Sequence, residues 1–183
     1  MSGRLILVWG GSGSGKSAWA ERRLLSLAGR EPGRAVYLAT MSAGGEEARA
    51  RIDRHRAMRA AHGAAAGRAF QTLERQTDIG SAEVLPGDFV LLEDLGNLLA
   101  NEIWSPEGAG EGAGEGAVEH ILAGIESLLE RAAALVIVSG DVFGDGCAYD
   151  AATVDYIRKM GLLHRALAGR AEQVVEVVCG IAC

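Results

Sequence analysis

Apolar runs of strand length alternate along this chain with longer segments of helical period. That alternation restricts the fold more than any other feature. The runs are Arg4–Trp9, Ala35–Thr40, Phe89–Glu93, Leu135–Ser139 and Gln173–Val178, with a weaker one at Phe70–Leu73. Nearly continuous apolar strands must be buried on both faces, so the pattern predicts a mostly parallel sheet covered by helices on each side. Helices are expected at Lys16–Ala28, Glu46–Ala61, Leu95–Trp104, Ala117–Ala132 and Thr153–Ala168, the last with Asp150 as its N-cap. A length of 183 residues suits one such domain, spanning 1–183. The segment of roughly 105–117, built around Gly108-Ala-Gly-Glu-Gly-Ala-Gly-Glu-Gly-Ala117, has little that can pack and is expected to be a flexible surface loop.

Between the first strand and the first helix lies Gly10, Gly11, Ser12, Gly13, Ser14, Gly15, Lys16 and Ser17, which fits Gly-x-x-x-x-Gly-Lys-[Ser/Thr]. A strand before and a helix after turn this pattern into a phosphate cradle. Glycines let consecutive backbone N–H groups face a β-phosphate, the helix N-terminus adds a positive end, and a Ser17 hydroxyl suits Mg²⁺. Lys16 supplies a point charge for the β/γ oxygens. The chain has only two lysines, Lys16 and Lys159, against sixteen arginines. Keeping lysine here accords with the poor fit of a planar guanidinium in such a cradle. The expected fold class is therefore α/β of the P-loop NTPase type.

A nucleotide site of this kind also needs an acid at the end of a second buried strand. Phe89-Val-Leu-Leu-Glu93-Asp94 offers Glu93 first and Asp94 as its competitor, because successive strand residues point to opposite faces. Asp141, after Leu135–Ser139, is a further candidate or an ordinary loop acid.

The net charge of −6 argues against a general nucleic-acid binder. Yet residues 49–59 carry five arginines against one aspartate. On a helix, Arg51, His55 and Arg59 fall at i, i+4 and i+8 on one face, and Glu46 and Glu47 suit its N-terminal end. Such a face can grip a polyphosphate, although charge runs are usually solvated. The large apolar residues of this stretch are Ile52 and Met58, so a weakly anchored helix that swings over a ligand is expected. Crowding by arginines favours the neutral imidazole of His55, the nucleophilic form. His62 is a weaker alternative on the same helix, and His120 and His164 read as ordinary helix positions.

The three cysteines, Cys147, Cys179 and Cys183, form no Cys-x-x-Cys pair. No run approaches the roughly 20 apolar residues of a membrane span, and free thiols in a reducing cytoplasm are expected.

Taken in order, these motifs resemble the bifunctional adenosylcobinamide kinase / adenosylcobinamide-phosphate guanylyltransferase family of cobalamin biosynthesis. The resemblance rests on Gly10–Ser17, Tyr37-Leu-Ala-Thr40-Met41, Arg51-Ile-x-x-His55-Arg56 with Arg59, Phe70-Gln-Thr72-Leu-Glu74, Leu91-Leu-Glu93, Asn97 to Asn101-Glu102, and Val177-Val-Cys-Gly180-Ile181. It implies two reactions. ATP or GTP phosphorylates adenosylcobinamide, and GTP then loses pyrophosphate to form a GMP-histidine whose GMP passes to adenosylcobinamide phosphate. By position it makes His55 the guanylylated residue. It puts Arg56, Ala57, Met58, Arg59, Thr40, Met41, Glu74 and Glu93 near the nucleotide, with Mg²⁺ at Ser17 and Glu93, and it implies a homotrimer. One departure is clear. Ser139-Gly-Asp141-Val-Phe-Gly144-Asp145-Gly146-Cys147 stands where better-known members carry Asn-Glu-Val-Gly-x-Gly-Ile-Val-Pro.

Overall fold

In the computed structural model, the described residues are 3–41, 45–108, 116–144, 146 and 148–183. Within the helix at 45–66, the side chains of 45–52, 54, 55 and 58 also lie outside the description. The elements in chain order are β1 (Arg4–Gly10), α1 (Lys16–Ala28), β2 (Ala35–Ala39), α2 (Gly45–Ala66), β3 (Phe70–Glu74), β4 (Phe89–Glu93), α3 (Leu95–Trp104), α4 (Ala117–Arg131), β5 (Ala134–Gly140), α5 (Ala151–Arg170), β6 (Gln173–Val178) and β7 (Ile181–Ala182). One sheet contains every strand, in the order β3-β2-β4-β5-β1-β6-β7. All pairings are parallel except the terminal β6–β7 hairpin. The α/β architecture with a mostly parallel sheet, and its P-loop NTPase type, are those expected from the sequence.

Strand residues alternate between two apolar cores, as their period of two requires. Leu5, Leu7, Val36, Leu38, Val90, Leu92, Leu135 and Ile137 pack under α3, α4 and α5. Ile6, Val8, Tyr37, Leu91, Val136 and Val138 pack under α1 through Ala20, Leu24, Leu25 and Ala28. Each large aliphatic side chain fully buried this way contributes about 1.5–3 kcal/mol by removal from water. The same parity decides which side each residue at a strand end faces.

Two helices run further than their periodicity suggested. Helix α2 continues through Ala64–Ala66, good helix formers, and ends where Gly67 takes φ 66°. Helix α5 begins at Ala151, directly after its cap: Asp150 Oδ1 accepts from the Thr153 amide at 2.9 Å. Most of the expected Gly/Ala/Glu loop, residues 109–115, lies outside the description. Cys179 and Cys183 are free and exposed, and Cys147 lies outside the description. Among the described residues, no helix is long and apolar enough to cross a membrane.

Candidate nucleotide site

The cradle is held by main-chain contacts. Gly15 has φ 88°, and a Cβ there would come within 3.1 Å of the Gly180 Cα. Only glycine accepts both that conformation and that approach. Gly180, in the turn between β6 and β7, donates its amide to the Ser14 carbonyl at 2.7 Å. At the other end of the loop, a Cβ on Gly10 would lie 2.5 Å from the Val177 carbonyl and 2.8 Å from Ser14 Oγ. Lys16 is set by its own loop, with Nζ donating to the Gly11 carbonyl at 3.0 Å. Its rare counterpart Lys159 is buried on α5 and paired to Asp155, a structural ion pair.

Parallel register brings the ends of several strands level. Ala39 of β2 stands opposite Glu74 of β3 on one side and Glu93 of β4 on the other, while Gly10 pairs with Gly140. Glu93 has the parity of Phe89 and Leu91, which puts it on the α1 side, and there the Ser17 hydroxyl donates to its Oε1. The carboxylate is 8% exposed. Burial pushes its pKa up to about 7, against the opposing pull of the Ser17 hydrogen bond. Asp94 lies just beyond β4 and accepts from the Asn97 amide at 2.7 Å as the N-cap of α3. The geometry thus brings Glu93 rather than Asp94 to the cradle serine.

Thr40 is fully buried at the end of β2. Its amide donates to the Glu93 carbonyl at 3.0 Å and its hydroxyl to the Asp94 carbonyl at 2.8 Å, so it braces the β4–α3 bend. Asn101 Nδ2 donates to the Thr40 carbonyl at 2.8 Å, and Met41 follows, half-buried. Asp141 is exposed. Its amide donates to the Gly10 carbonyl at 3.0 Å, while its carboxylate accepts from the Phe143 amide at 3.0 Å, the arrangement of a loop acid beside the cradle.

On α2, the structure describes part of the basic stretch. Arg51, His55 and Met58 have side chains outside the description, and Ala57 is exposed. Arg56 Nη2 donates to Glu74 Oε1 at 3.2 Å, both side chains being exposed. Glu74 borders a groove of about 550 Å³ also lined by Arg75, Gln76, Asp78 and Glu107. Arg59, expected near a nucleotide, is 6% exposed, with its guanidinium carbon 3.5 Å from the centre of the Tyr37 ring. His62 Nδ1 is bonded to Glu21 Oε2 of α1, and Glu21 is 1% exposed. The expectation of a weakly anchored helix is therefore corrected at Arg59 and His62, while most side chains of 45–58 lie outside the described residues. Where large apolar side chains are scarce, a cation–π stack and a buried carboxylate tie α2 to the α1 side of the sheet.

The other two histidines lie on helices as expected, His120 exposed on α4 and His164 half-buried on α5. His164 Nε2 lies 2.7 Å from Ser139 Oγ, and the ring meets Trp9 and Phe143 edge-on. Burial lowers its pKa. His120 Nε2 stands 3.8 Å from Asp78 and 3.7 Å from the buried Glu102.

The sequence pattern did not single out Glu21, and Tyr37 and Gly180 stood out only within motifs that carry the resemblance. A signal existed for Glu21: it sits in the stripe Ala20, Leu24, Leu25 and Ala28, where a lone acid must find a partner.

Comparison with known proteins adds a second line of observation. Residues 6–183 match the family model described as cobinamide kinase / cobinamide phosphate guanyltransferase. The chain is also 31% identical over 179 residues to the bifunctional adenosylcobalamin biosynthesis protein CobP of Pseudomonas aeruginosa, covering 96% of this chain and 93% of that protein.

Proposed function

The chain belongs to the cobinamide kinase / cobinamide phosphate guanyltransferase family, and from that premise we propose that it carries out both reactions on adenosylcobinamide, the second through a GMP-histidine at His55. The observation that carries the reading is the convergence of the Ser17 hydroxyl and the Glu93 carboxylate on a glycine cradle that already holds Lys16.

In the kinase step, the acceptor hydroxyl of adenosylcobinamide attacks the γ-phosphorus of ATP or GTP. The bond from that phosphorus to the β-bridging oxygen breaks, and the hydroxyl proton is lost. Cradle amides and Lys16 hold the β-phosphate and stabilise its developing charge. In the second step, a ring nitrogen of neutral His55 attacks the α-phosphorus of GTP and pyrophosphate leaves. A phosphate oxygen of adenosylcobinamide phosphate then attacks the same phosphorus, breaking the N–P bond and restoring the imidazole. Arg56 and Glu74, joined at 3.2 Å at the end of β3, suit the neighbourhood of the guanine nucleotide.

Ser17 and Glu93 are hard oxygen donors and fit Mg²⁺. Among the described residues no group of three or more His, Cys, Asp or Glu could hold a metal by itself, in keeping with an ion that takes its remaining oxygens from phosphates and water. When bound, Mg²⁺ neutralises charge on the phosphate oxygens. With burial holding its pKa near 7, Glu93 is a better ligand above neutrality than below it.

The test is product analysis by mass spectrometry after incubation with adenosylcobinamide, ATP, GTP and Mg²⁺. Both the phosphate and the GDP-linked product should form. The phosphate alone would reduce the reading to a small-metabolite kinase, and neither product would overturn it.

A further inference from the structure

Helix α1 makes two polar contacts one turn apart. Ser17 donates to Glu93, and Glu21, four residues on and therefore on the same face, takes His62 of α2. Both partners of the second contact are largely removed from water, with side-chain exposures of 2% for Glu21 and 23% for His62. Burial raises the Glu21 pKa; His62 and Arg59 on α2 and Arg22 on α1 oppose it. Tyr37 and Glu93 are the groups on the sheet that sense this carboxylate. A carboxylate so enclosed persists only while paired, so α2 cannot lift from α1 here without stranding it. Positions 55, 59 and 62 stand at i, i+4 and i+7, the spacing of one helix face. The two described members of that set, Arg59 and His62, are the ones pinned to Tyr37 and Glu21.

We propose that Glu21 and His62 are positioning residues, a latch that keeps the His55 face of α2 in register with the cradle. GMP transfer then depends on the pair, whereas phosphoryl transfer at the cradle does not. The inference rests on the two-reaction reading above.

The experiment uses the full chain with His62→Ala and His62→Asn, whose amide can still donate to Glu21. For His62→Ala, kcat of GMP transfer should fall about tenfold to a hundredfold, with KM for GTP and the kinase rate each within about twofold of wild type. His62→Asn should recover most of the loss. If His62→Ala folds poorly, Glu21→Ala, which removes the acceptor, carries the same split between the two activities. An equal fall of both activities, an unchanged transfer rate, or no recovery in His62→Asn would overturn the latch. If wild type itself transfers no GMP, the guanylyl half of the family reading fails separately. Amide hydrogen exchange along 45–66 then decides the latch: faster in His62→Ala and restored in His62→Asn supports it, and unchanged rates overturn it.

Discussion

The glycine cradle and helix α2 both offer positive charge, and they hold it by opposite means. In the cradle the groups are main-chain amides, an N-terminal helix turn and one lysine, fixed by Gly15 at φ 88° and by the Gly180 amide on Ser14 at 2.7 Å. In α2 the charge is on arginine side chains, and the helix is fixed by contacts from far along the chain, Tyr37 under Arg59 and Glu21 against His62. A backbone cradle costs little reorganisation when phosphate arrives, whereas a side-chain tether sets where a helix lies and can be loosened without unfolding the sheet. The difference suits a division of labour in which phosphates bind to a rigid seat and the guanylylated residue rides on a tethered helix.

Substitution can break this contrast. The largest effect is expected for Lys16→Ala, which should lower both the kinase and the GMP-transfer rates by roughly 10²–10³-fold in steady-state assays, because both reactions use the same seat. Loss of only one activity would mean the two reactions do not share it.

Next comes Glu93→Gln, which should abolish most turnover while stabilising the protein. The Glu93 pKa is raised to about 7, so the folded state binds the proton more tightly than the unfolded chain. The cost to stability is absent below the ordinary carboxylate range, grows as pH rises towards about 7, and is constant above it. Urea unfolding should therefore show Glu93→Gln stabilised by roughly 1–3 kcal/mol at pH 8 and by almost nothing at pH 4. A gain independent of pH would contradict the assignment.

Arg59→Ala should have the smallest effect, a loss of about 1–2 kcal/mol in unfolding free energy from removal of the cation–π stack. The kinase rate should stay near wild type. A collapse of kinase activity would place Arg59 in the phosphate seat after all.

The same contrast explains how much could be read from sequence. The centres of β1, β2, β4 and β5 were legible because both faces are buried, and β4, β6, α1 and α3 have the bounds that periodicity gave. The two-residue β7 is too short to show a period, yet its turn supplies Gly180. The cradle was legible because its determinants are local, eight consecutive residues between a strand and a helix. Parity along β4 puts Glu93 on the α1 face once α1 is known to cover it. The anchoring of α2 was not legible, since Glu21 and His62 lie 41 positions apart: the apolar stripe of α1 says that Glu21 needs a partner, and nothing in the sequence says which.

Central to this account is that His55 carries the guanylyl group. The direct measurement is incubation with Mg²⁺ and GTP labelled at the α-phosphate, followed by isolation of the protein and mapping of the label. The account predicts a base-stable, acid-labile phosphoramidate on the peptide containing His55, lost in His55→Ala while Lys16-dependent phosphorylation of adenosylcobinamide continues. Wild type that takes no label, or His55→Ala that takes as much as wild type, would contradict it.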